Sequence, residues 1–330
     1  MLFERQVERL PDHYPWAQDF IEVMQDGFWT AKKFTFDSDT TDYELNLTDA
    51  EREIIKRTLA AIAQIEIAVK EFWKRLGDHL PHPSIKDLGI TMAYIEVIHN
   101  NAYEKLLKKL GLTNVFKENM HVPALAGRVG YLNKHADRIY TDDRKQYVYS
   151  LILFTLFVEN VSLFSQFYII LWFNSFDNRF KDLANQVKYT RNEEMLHAFA
   201  GMRVINTLRA EYPELFDAEL EAKILEETHD AFKAESALID WLMGDFQKTG
   251  KNQQDLEIPL NASILKSYIA DRFNESLIGI GFKPQFAVDA DDLKRTFWMK
   301  EGQFAQAKVD FFHSESTDYQ QADQADDDDF

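Results

Sequence analysis

Apolar residues recur at three- and four-residue intervals along most of the chain, the spacing of an α-helical face, and no strand-rich stretch appears. Thr48 and Glu51 form a capping box, in which hydroxyl and carboxylate each satisfy a free amide at a helix start. The helix they open is expected over 48–76, stopping near Gly77 ahead of Pro81 and Pro83. Further helices are expected over 84–110, 124–136, 142–175, 180–211, 218–249 and 261–278, with a short last one after Val288. Residues 1–44 read as an irregular arm with aromatic anchors at Trp16, Phe28 and Trp29. The pattern predicts an all-α chain.

One segment breaks the amphipathic rule. Between Gln146 and Phe176 the single charged residue is Glu159. Its length would span a bilayer. It nevertheless carries Asn160, Ser162, Ser165 and Gln166 and has no companion segment, so the reading is a buried central helix.

Composition narrows the function. The 330 residues include no cysteine, which excludes disulfides, thiolate metal sites and a cysteine nucleophile, and fits the cytoplasm. A net charge of -18 argues against nucleic acid or an anionic membrane as partner, because both are polyanions. Seven of the acids fall in residues 314–330, which contain no base and read as a flexible tail following a unit of residues 1–313.

Glu-x-x-His places a carboxylate and an imidazole on one helix face, a half-site for a metal ion. With 25 Glu and 9 His in 330 residues, about 0.7 such pairs are expected by chance, and four occur. Glu118/His121 lies in a loop and Glu226/His229 in a charged helix, whereas Glu96/His99 and Glu194/His197 sit among apolar residues. Each of these two pairs follows a helix with a glutamate in apolar surroundings: Glu66 comes 30 residues before Glu96, and Glu159 comes 35 before Glu194. Either pair alone is as readily a core carboxylate with a packing histidine. Together, four carboxylates and two imidazoles form the ligand set of ferritin-like dinuclear bundles.

With these residues in hand, the sequence resembles the radical-generating small (beta) subunit of class I ribonucleotide reductase over nearly its whole length. The resemblance implies that Glu66, Glu96, His99, Glu159, Glu194 and His197 are metal ligands. It places Tyr103 where many members hold a tyrosyl radical, and Trp29 and Glu193 on the route between the metal and the partner. Tyr319 matches a mobile relay tyrosine, and the Asp-Asp-Phe ending at Phe330 matches a segment that docks on the large catalytic subunit. It further implies a homodimer and two metal ions per chain. Since nucleotide reduction in the family runs on cysteines and this chain has none, chemistry on the substrate is expected on the large subunit.

Glu66 stands where the commonest subclasses have aspartate, a feature of members that use manganese. Dimanganese is therefore expected, with manganese–iron or diiron as alternatives, and Tyr103 need not store the oxidising equivalent. Glu193 replaces the family's usual aspartate. The Glu159–Glu194 spacing is about one residue longer than usual, consistent with a bulge in a ligand helix. A dinuclear oxidase or hydroxylase acting on an apolar substrate, and a metal-storage protein, are the competing readings; neither explains Tyr319 in its polar tail.

Overall fold

A computed structural model describes residues 1–62, 65–137 and 141–300, and the side chains of 65–68 and 131–137 lie outside the description. Fourteen α-helices occur among the described residues. They are α1 Trp16–Asp26, α2 Asp37–Thr41, α3 Asp49–Ile62, α4 Ile65–Lys74, α5 Leu76–His79, α6 Pro83–Lys109 and α7 Val115–Asn119. The chain continues through α8 Pro123–Asp137, α9 Arg144–Leu153, α10 Phe164–Asp177, α11 Lys181–Glu211, α12 Ala218–Met243, α13 Ala262–Gly279 and α14 Ala290–Thr296. Between α9 and α10, Phe154–Ser162 run as a π-helix, so that Arg144–Asp177 form one continuous 34-residue rod. The most apolar stretch of that rod is wholly buried, which agrees with a core helix.

Helix ends follow local chemistry. The Thr48 amide donates to Glu51 at 2.9 Å and the Glu51 amide donates to the Thr48 hydroxyl at 3.3 Å, the reciprocal capping box. Asp143, Asp217 and Asn261 accept from the first amides of α9, α12 and α13. Asp39, fully buried, accepts from the amides of Asp182 and Leu183 and so caps α11 from a distant part of the chain.

Three expectations need correction. The arm contains the regular helix α1, which buries Ala17, Ile21 and Met24. Phe28 does not anchor it: the ring is 54% exposed and stacks on the equally exposed Tyr94. The helix expected over 218–249 ends at Met243, because Gly244 turns the backbone to φ 51°. The chain then forms a two-stranded antiparallel hairpin, β1 Lys248–Lys251 with β2 Glu257–Leu260. Trp172 of α10 donates its indole N–H to the Ile258 carbonyl at 3.0 Å and holds this hairpin on the bundle.

The centre is built from α4, α6, the π-helical rod and α11. The first two pack along each other, and α11 lies against both α6 and the π segment. Two glycines permit the close approach. A Cβ at Gly89 would stand 2.5 Å from the Trp73 carbonyl, and one at Gly201 would stand 2.5 Å from the Thr155 side chain. On its other side the π segment is covered by α13.

Candidate metal centre

Three elements bring ionisable groups to one dry point. Glu96 and His99 project from α6, Glu159 from the π segment, and Glu193, Glu194 and His197 from α11, and all six are buried. Spacing of three residues along α6 and α11 places each Glu/His pair on one face. Single donor atoms of Glu96, Glu159, Glu194 and His197 lie within 4.8 Å of one another.

His197 Nδ1 stands 2.9 Å from Glu96 Oε1, 3.6 Å from Glu159 Oε2 and 3.7 Å from Glu194 Oε2. His99 Nδ1 lies 3.2 Å from both Glu96 Oε2 and Glu194 Oε1. Among the described residues, Glu96 Oε1, Glu159 Oε2 and His197 Nδ1 have hydrogen-bond geometry to no neighbour. Orphaned lone pairs converging in a dry pocket are costly unless a cation takes them. Carboxylate oxygens with imidazole nitrogens suit a hard or borderline divalent ion, so the donor set fits a metal.

The titration pattern shows the same frustration. Burial pushes the His99 ring down, but Glu96, then Glu193 and Glu194, more than reverse this and hold it well above an ordinary histidine. His197 is raised in the same way by Glu159, Glu194 and Glu96 against its burial. Burial and then the charge of Glu194 hold Glu159 well above the usual carboxylate range. Burial would raise Glu194 as well, yet the nearby His197 and His99 rings bring it below that range. Protons must be shared unequally among groups that a cation would allow to be deprotonated together.

A polar chain leaves this cluster. His99 Nε2 lies 2.7 Å from Glu193 Oε2, and Trp29 Nε1 donates to the same carboxylate at 2.9 and 3.0 Å. With Nε2 turned to Glu193, Nδ1 is the nitrogen that faces Glu96 and Glu194. The Trp29 and His99 rings lie 6.1 Å apart at 25°. Tyr103 is buried one helical turn beyond His99.

Two of the sequence-derived candidates are not located. The Glu66 side chain, on α4, and Tyr319 both lie outside the described residues. The two discounted pairs stay apart from the centre: Glu118 faces Lys56 at 3.6 Å, and Glu226 and His229 are exposed on α12. One participant escaped the sequence reading. The fully buried Trp73 donates its indole N–H to Glu159 Oε1, which leaves Oε2 facing His197. Its position two turns after Glu66 on the same helix face was the available signal.

Known proteins resemble this chain along most of its length. The family described as "Ribonucleotide reductase, small chain" matches residues 7–293. The ribonucleoside-diphosphate reductase subunit beta of Halalkalibacterium halodurans is 21% identical over 313 residues, covering 93% of this chain and 86% of that protein. A putative class I ribonucleotide reductase from Bacillus halodurans superposes with a TM-score of 0.74 at 18% identity, covering 86% of this chain and 98% of the other. The dimanganese(II)-NrdF of Streptococcus sanguinis gives a TM-score of 0.73 at 13% identity, over 88% of this chain and 96% of that one.

Proposed function

Because the chain belongs to the ribonucleotide reductase small-chain family, with the ferritin-like fold and role of a class I ribonucleoside-diphosphate reductase beta subunit, we propose that Glu66, Glu96, His99, Glu159, Glu194 and His197 hold two manganese ions. The observation that carries the ligand set is the convergence of orphaned donor atoms of Glu96, Glu159 and His197 in a fully buried pocket. When bound and oxidised by an oxygen species, such a pair supplies the one-electron oxidising equivalent that nucleotide reduction requires. Manganese is favoured over iron because a glutamate, Glu66, stands at the first ligand position. The similarity to a dimanganese protein agrees with that choice.

The protein's part is to orient and to keep dry. Glu193 holds the Nε2 proton of His99 and so aims Nδ1 at the cluster. Trp29 shares the same carboxylate, so oxidation of its indole can release the Nε1 proton to Glu193 without water. Trp73, whose ring lies 6.5 Å from that of His197, and Phe154 against it, both buried, wall the site from solvent-borne reductants. Tyr319 then relays the equivalent outward, and the acidic segment 314–330 docks on the large catalytic subunit. Residues 1–313 constitute the metal-binding unit, and two copies form a homodimer.

Metal analysis with electron paramagnetic resonance of protein isolated with its native metal tests this. The expected result is two manganese ions per chain and a multiline coupled-manganese spectrum without a tyrosyl signal. Iron with an isolated tyrosyl doublet would instead assign storage to Tyr103 and overturn the manganese reading.

A further inference from the structure

The π segment that carries Glu159 is held from outside the metal centre. Three of its carbonyls accept side-chain hydrogen bonds: Leu156 from Ser276 at 3.2 Å, Phe157 from Ser162 at 2.9 Å, and Asn160 from Arg272 Nε at 2.5 Å. The Asn160 side chain closes the network, donating to Ser276 at 2.6 Å and accepting from Arg272 Nη2. Arg272 and Ser276 both come from α13, one helical turn apart, and both are buried. The Arg272 guanidinium carbon also lies 3.4 Å from the centre of the Phe164 ring, at the end of the π segment.

Arginine is an expensive choice here. Burying a guanidinium is costly, and apolar side chains of similar volume usually stabilise a core at least as well. What the planar fork adds is a fixed two-point grip. It grips both oxygens of Asn160, the residue next to Glu159. The grip has geometric consequences, because a π turn accommodates one residue more than an α turn. If the turn relaxed to α-helix, that residue would rotate the side chains around it by about 100°. Glu159 would then leave the cluster that its Oε2 now faces.

We propose that Arg272 is a positioning residue, whose two-point hold on Asn160 locks the π turn and thereby sets the affinity of the metal position that Glu159 serves. This rests on Glu159 being a ligand. The lock acts from α13, while the π segment is pressed on its other side by Gly201 of α11.

The test is titration of the metal-free full chain with manganese(II), following free manganese by electron paramagnetic resonance. Thermal melting of each metal-free variant accompanies it. Arg272→Gln is expected to weaken one of the two manganese positions by about 10- to 100-fold, the usual range for residues that orient a ligand, and to leave the other unchanged. Ser276→Ala, which removes only the bridging hydroxyl, should give the same one-sided loss at smaller size, and it decides the matter if Arg272→Gln does not fold. A merely structural role would lower the melting temperature and shift both positions in proportion; that result, or no shift in either, overturns the proposal. Glu159→Gln separates the two levels. If it weakens one position and the α13 variants do not, the lock is wrong; if it weakens neither, the ligand assignment fails and the lock with it.

Discussion

At the scale of single residues, Glu193 is the most demanding position. One carboxylate serves two donors, Trp29 Nε1 and His99 Nε2, in a buried setting. An amide has one accepting heteroatom: with its oxygen at the Oε2 place, which both donors reach, its nitrogen takes the Oε1 place 3.0 Å from Trp29 Nε1. Glu193→Gln therefore points an N–H at another N–H, at a cost of about 1–3 kcal/mol. The expected outcome at saturating manganese is full metal content with nucleotide reduction reduced to background when the large subunit is supplied. Activity retained near the parent level would remove Glu193 from the route. The Trp29–Glu193–His99 contact joins residues up to 164 positions apart. No periodicity could indicate it; only the resemblance placed the three together. The Glu159–Trp73 contact had no such guide and went unread, since a tryptophan on an apolar helix face looks like packing until its N–H partner is known.

At the scale of elements, two of the long helices were legible almost to the residue, because their stops are local. The span expected over 84–110 is observed as Pro83–Lys109, and that over 180–211 as Lys181–Glu211. The hairpin was hidden because its strands are four residues each and depend on Trp172 for support. The π turn left only an indirect trace, a separation of Glu159 and Glu194 about one residue too long. Its cause is now concrete: side chains of α13 and Ser162 take carbonyls along the π segment, and α11 presses on it through a glycine. Gly201→Ala should therefore destabilise the protein, since its Cβ would meet Thr155 Cγ2 and Oγ1 at 2.5 Å in a packed core. A loss of about 1–3 kcal/mol is expected from such overpacking, read by denaturant unfolding of the metal-free protein. An unchanged midpoint would show that α11 and the π segment can move apart freely.

At the scale of the whole molecule, charge and chemistry are divided along the chain. Of the net -18, seven negative charges lie in residues 314–330, which leaves -11 on residues 1–313 (-18 + 7). Truncation before Ser314 should give a protein that still takes up two manganese ions but no longer supports nucleotide reduction with the large subunit. Normal turnover by the truncated chain would contradict a docking role for this segment. The buried rod Arg144–Asp177 has a further consequence, felt before the protein is finished. It emerges from the ribosome ahead of α11 and α13, which cover it, and the end of α13 follows about 100 residues later, roughly 5–20 s at ordinary synthesis rates. Throughout that interval the nascent chain displays a helix with the length and apolarity of a membrane anchor. Its neighbours in the cell are chaperones and the membrane-targeting machinery, so the yield of folded protein depends on which of these meets the rod first.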